Sequence, residues 1–244
     1  MPERFPQLFW GMIALAAGLV VGSALTAGAV KNIRRGDDQI EVTGSARRPI
    51  RSDAAIWRLS VTGQGATLQE ASASTDGPTQ RVLAFLRQNS VPDSVLTIGA
   101  LVPEPVYRIL ENGQTTSEVV LYRVTQHFEL RSRDVDGIKA LEGRANALLR
   151  EGVPLNSQAP EYLYTKLAEV RTQMLADATE DARRRAEAIA TSAGGEIGAV
   201  RNARMGVFQI TPRNSTEVSD YGINDTSSLE KDITAVVRVT FAVN

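Results

Sequence analysis

Between Leu8 and Val30 lies a run of 23 residues without a charge, followed at once by Lys31, Arg34 and Arg35. As a helix rising about 1.5 Å per residue, it is long enough to cross a hydrocarbon core of roughly 30 Å. The chain beyond it mixes apolar and charged residues as a water-soluble domain does. This predicts one membrane anchor carrying one soluble domain: a tail at 1–7, a transmembrane segment at 8–30, a linker at 31–38 and a folded region at 39–244. A cleaved signal peptide is the rival reading, because Ala27-Gly28-Ala29 has the small-x-small pattern of a cleavage site. The run is longer than the roughly 7 to 15 residues of a signal h-region, which favours a retained anchor.

Within the run, Gly11, Ala14, Gly18 and Gly22 recur at steps of three and four, and Gly18 with Gly22 forms a GxxxG. Small residues on one face let two membrane helices approach closely, so these four form a candidate packing face for self-association. The flanking charges pull in one direction: Lys31, Arg34, Arg35, Arg47, Arg48 and Arg51 follow the run, whereas Arg4, offset by Glu3, precedes it. By the positive-inside rule that pattern keeps the C-terminal domain in the cytoplasm. With residues 1–35 set aside, 23 basic and 27 acidic residues remain, a formal net charge of −4. A domain of that sign lacks the basic footprint that general nucleic-acid binding requires. The chain has no cysteine, which excludes disulfides, thiolate metal sites and a thiol nucleophile.

The soluble region reads as α+β, a mostly antiparallel sheet with helices packed on one face, one of them long and Ala-rich. Ile40, Val42 and Gly44 alternate with Glu41 and Thr43 as a first strand. A second begins near Asp53, with Ala55, Trp57, Leu59 and Val61 on one face. Thr67 and Glu70 make a capping-box pattern for a helix to about Asn89, with Val82, Leu83 and Leu86 inward, which Gly77-Pro78 should kink or restart. Strands at 95–102 and 118–131 flank the turn signal Glu111-Asn112-Gly113. Asp134 is placed to cap a helix burying Ile138, Leu141, Ala145, Leu148 and Leu149. The long helix, 165–192, carries an inward stripe of Leu167, Val170, Met174, Ala178, Ala182, Ala186 and Ile189 and ends at Gly194-Gly195. Glu180 with Arg184, and Asp181 with Arg185, are spaced for surface ion pairs. A strand at 205–210, a polar loop at 211–232 and a strand alternating from Ile233 to Val243 close the chain.

These pieces, in this order, resemble the SIMPL-domain family. The resemblance is carried by Ile40-Glu41-Val42-Thr43-Gly44, the strand from Asp53 to Gly63, the segment from Ala182 to Ala190 followed by Gly194, Gly195 and Gly198, and the final Val-rich strand. It implies a non-enzymatic α+β domain of the bacterial periplasm or envelope, some members of which assemble into large rings and some of which are linked to oxidative-stress tolerance. It implies no catalytic residue. Gly77-Pro78 departs from the more continuous helix of typical members. Because long domains are translocated despite flanking charge, the resemblance places the expected location at the inner membrane, single-pass, with the C-terminal domain in the periplasm.

Residues with chemistry are few. His127 is the only histidine, on the wet side of its strand between Thr125 and Glu129, so multi-histidine metal sites are excluded and a Ser-His-Asp site would need partners from elsewhere. Gly63-Gln64-Gly65 reads as a plain turn, since Leu68 breaks GxGxxG. Glu180, Asp181 and Glu187, interleaved with Arg183, Arg184 and Arg185, read as a solvated or intersubunit charged face. The sequons at Asn214 and Asn224 read as chance matches. The 211–232 tract offers Tyr221 and Ile223 as contact anchors. The expectation is a cofactor-free, metal-free, non-enzymatic envelope protein whose partner is itself, with Arg183, Arg184, Tyr221 and Ile223 as interaction residues. Its alternatives are a monomeric module docking another envelope protein and a hydrolase using His127.

Overall fold

The computed structural model describes residues 11–13, 15–19, 22 and 38–244. The strands are β1 (Gln39–Arg51), β2 (Ala54–Gly65), β3 (Leu96–Ile109), β4 (Thr115–Ser132), β5 (Leu155–Ser157), β6 (Glu161–Leu163), β7 (Ile197–Met205), β8 (Gln209–Pro212), β9 (Ile223–Asn224) and β10 (Glu230–Val243). Within 38–244 the α-helices are α1 (Leu68–Gln88), α2 (Val135–Arg150) and α3 (Leu167–Ser192). The class is α+β, but the strands form two five-stranded sheets where the sequence suggested one. Every pairing with a register is antiparallel except β8 with β9.

Within 38–244 the chain divides into two compact units, the first comprising 38–46, 172–207 and 235–244, the second 47–171 and 208–234. In the first, β7 pairs with β10 from Val237↔Met205 to Val243↔Ile197, and α3 packs on β1. The contact on β1 depends on a missing side chain. A Cβ at Gly44 would lie 2.7 Å from Ala182 Cβ and nearer still to Ala178 O and Ala182 N, so only glycine lets the helix sit this close. The helix answers with Met174, Ala178, Ala182, Ala186 and Ala190, all buried.

In the second unit β2 is central. Ala55, Trp57, Leu59 and Val61 meet Phe128 and Leu130 of β4, Val82 and Leu86 of α1, and Ile138, Leu141, Ala145 and Leu148 of α2 in one core. Both helices therefore cover one face of this sheet. Thr67 and Glu70 form the full capping box expected, and α1 continues through Pro78 without restarting. Its register against the sheet is set by Gly63 and Gly65, which stand in β2 rather than in a turn. Cβ atoms there would come 2.6 Å from Ala71 O and 2.5 Å from Ala71 N.

The polar tract 211–232 is not one long loop. It supplies the end of β8, all of β9 and the start of β10, and two buried groups hold it. Lys231, 1% exposed, donates to Tyr162 O at 2.6 Å and to Asp225 O. Asp232 accepts from Arg47 Nη2 at 2.6 Å and from the Asn214 N–H at 2.9 Å. Buried carbonyls and carboxylates need such partners, and here they come from a charged side chain each.

Residues 11–13, 15–19 and 22 are helical and exposed. Among the described residues no helix is long and apolar enough to cross a membrane. The remainder of Leu8 to Val30, with Ala14 of the packing face, lies outside them. No described heavy atom stands within 4 Å of a Cβ placed at Gly11, Gly18 or Gly22.

Candidate interaction surfaces

The face of the second unit's sheet turned away from its helices carries a polar network. Arg58 on β2 donates from Nε to Glu129 at 2.9 Å and from Nη1 to Glu161 at 2.6 Å, while Arg131 donates to Glu129 at 2.5 Å. Arg131, with help from Arg58 and against partial burial, holds the Glu129 carboxyl below the usual carboxylate range. The hydrogen bonds to Glu161 and then Glu129 raise Arg58 in turn. Two carboxylates already engage this guanidinium, so its role is to tie β2, β4 and β6 together.

Beside it lies an open depression of about 310 Å³, bounded by Arg58, Ser60, Thr97, Gly99, His127, Glu129, Asn156 and Gln158. Ser60 and His127 stand directly opposite each other in the β2–β4 register. No hydrogen bond joins their side chains, and His127 is exposed, as the alternation on β4 predicts. A nucleophile and its base need hydrogen-bond reach. Among the described residues no group of three or more His, Cys, Asp or Glu is placed to hold a metal ion.

On α3, Arg183 pairs with Glu187 at 2.9 Å and Arg185 with Asp181 at 2.8 Å, as their spacing implies for the latter. Arg184 turns toward Asp181, at 3.9 Å, instead of Glu180. Asp181 also accepts the Ser45 N–H at 2.9 Å, and this bond, joined by Arg185, depresses its pKa against the opposing penalty of partial burial. It is thus a tether between α3 and β1 and no part of a free charged patch. Arg183 borders a cleft of about 480 Å³ with Glu180, Ile197, Val200 and Phe241. Arg183 and Arg184 remain two-thirds exposed.

Tyr221 and Ile223 separate. Tyr221 is 97% exposed, whereas Ile223 pairs with Gln209 in the β8–β9 ladder and is half-buried. Only the tyrosine projects as an anchor.

The largest departure from expectation is the β3–β4 hairpin. Its strands run to Ile109 and from Thr115, well beyond the predicted bounds, and no residue of β3 is buried. Ile98, Leu101, Val102, Tyr107, Ile109, Leu110, Val119 and Val120 are between 37% and 69% exposed. Contiguous apolar surface of this kind marks contact sites. The sequence did carry a signal, apolar residues at both parities in Leu101-Val102, Ile109-Leu110 and Val119-Val120-Leu121, which period-two reading treats as noise.

The architecture defines an α+β domain of two largely antiparallel sheets whose most apolar exposed surface is a hairpin arm. The model of the SIMPL family, described as a protein of unknown function (DUF541), matches residues 40–241. The chain belongs to that family. No curated protein matches it.

Proposed function

We propose that this chain is a non-enzymatic, membrane-anchored envelope protein that self-assembles into a large homo-oligomer with a scaffolding or stress-protective role. Leu8 to Val30 would hold copies at the inner membrane, with the folded domain in the periplasm. One observation carries the reading: eight of the sixteen exposed large apolar residues within 38–244 lie on one hairpin, where water contact is unfavourable and a protein surface would relieve it. The resemblance that implied a cofactor-free envelope domain agrees with it. The test is chemical cross-linking of intact cells followed by mass analysis. Ladders of self-linked copies support assembly, and a single linked band with a second protein supports the alternative of a monomeric docking module. The feature favouring that alternative is Tyr221, whose ring stands almost wholly in solvent.

A further inference from the structure

β3 is the outer strand of its sheet, next to β4 alone, and over its distal part the two strands form a ribbon. A two-stranded ribbon is marginally stable in water by itself. This one, beyond the β4 residues that pair with β2, carries Tyr107, Ile109, Val119 and Val120 at 37% to 69% exposure. At its base, where Gln126 and Thr125 of β4 also pair with Val61 and Thr62 of β2, Leu101 stands opposite Gln126 and Val102 opposite Thr125, so the two neighbours point to opposite sides of the sheet, at 43% and 49% exposure.

At that base the free edge of β3 is closed to another strand. Pro103 and Pro105 lie opposite Val124 and Tyr122 in an unbroken register from Leu101 to Val106. Proline has no N–H, so the bonds that keep this register come from Val102, Glu104 and Val106, and the two missing donors face outward. An incoming strand would find carbonyls without their partner donors at consecutive edge positions, the arrangement that blunts edge pairing.

We infer that the β3–β4 arm is where one copy of this chain meets another, through its exposed apolar side chains and not through the strand edge at its base. The inference rests on the self-assembly reading and gives it a surface. Area supports a second copy as occupant. Val102, Tyr107, Ile109, Leu110, Val119 and Val120 expose roughly 500 Å² of surface, more than half of the ~800 Å² per partner of a standard interface. Charge is compatible with a second copy, of formal net charge −4 beyond residue 35. Arg108 pairs with Glu118 at 2.8 Å and Arg123 with Glu104 at 3.5 Å inside the arm, leaving a near-neutral surface that selects neither an acidic nor a basic partner. A lipid surface fits poorly, because the tip that would enter first is Glu111-Asn112-Gly113-Gln114.

The experiment is the mass of the full chain in mild detergent, wild type against Leu101→Lys and Val102→Lys, one charge on each face. The expected result is a discrete oligomer for wild type and loss of that species in either variant, with unchanged circular dichroism melts. If a variant misfolds, Ile109→Lys, at the 69% exposed end of the arm, replaces it. A monomeric wild type overturns the self-assembly reading and this inference with it. An oligomeric wild type whose variants assemble normally overturns this inference alone. In that case, slowed amide exchange on the arm only after reconstitution into phosphatidylethanolamine and phosphatidylglycerol vesicles would make lipid the occupant.

Discussion

Gly44→Ala is the smallest change that should damage this fold most. The new Cβ would stand 2.7 Å from Ala182 Cβ and closer to the Ala178 carbonyl and the Ala182 amide nitrogen. Two of those three atoms are helix backbone and have no rotamer into which to move. The helix must therefore retreat by roughly 1 Å, and a gap of 0.5 to 1 Å forfeits a quarter to a half of each dispersion contact along its buried stripe. Overpacking of this kind costs about 1 to 3 kcal/mol, and the rigid neighbours place this case near 3. For a domain of this size that lowers the melting temperature by about 6 to 12 °C. Gly143→Ala is the control. It adds the same methyl group in the exposed interior of α2, where nothing lies within 4 Å, and should stabilise by about 0.5 to 1 kcal/mol. Thermal unfolding followed by far-UV circular dichroism reads both. A Gly44→Ala protein melting within 2 °C of wild type, roughly 1 kcal/mol or less, would refute the claim that glycine sets the α3–β1 spacing.

Two further perturbations act on the buried polar groups. Lys231→Met keeps the length of the side chain but removes the donor from Tyr162 O and Asp225 O, and should cost about 2 to 4 kcal/mol while opening 213–229 to proteolysis. An unchanged melt and cleavage pattern would mean that the ammonium does not hold the segment. Acid should unfold the domain through its carboxylates. Asp181, bonded by the Ser45 N–H and then Arg185, and Glu129, bonded by Arg131 and then Arg58, both have folded pKa values below their unfolded ones, about 3.9 and 4.3. Their contribution is complete above those unfolded values and disappears as pH falls through the lowered folded ones, so melting temperature should hold from pH 7 to about 5 and drop below about 4. Asp181→Asn should flatten the acid limb, and a limb of unaltered slope would count against the tether.

What the sequence made legible was whatever depends on local periodicity and caps. Trp57, Leu59 and Val61 alternate into the core as read, Thr67 with Glu70 and Asp134 cap their helices, and β10 follows its Val-rich pattern. The errors share a physical origin in choosing size over geometry. Ile189 looked like a core residue, yet it is half exposed, because the buried row on α3 advances by fours from Met174 to Ala190 and the close approach at Gly44 admits only small residues there, while Leu149, in the last turn of α2, is left outside beside the buried Leu148. β5, β6 and β9 are two or three residues long and exist through pairing with β2 or β8, so no local pattern announces them. β7 escaped for a related reason, since Val200-Arg201-Asn202-Ala203-Arg204 lacks alternation and pairs with a strand some thirty-five residues later. Of the candidate contact residues, Tyr221 and the α3 arginines are exposed as read. The arm was hidden because its apolar residues occupy both faces, a pattern shared with a buried strand.

The central claim is that the folded domain drives assembly at a membrane. The most direct measurement is single-particle mass of the full chain in mild detergent beside a chain beginning at Gly36. The account predicts the same discrete, multi-copy species for both, and monomers in both would contradict it.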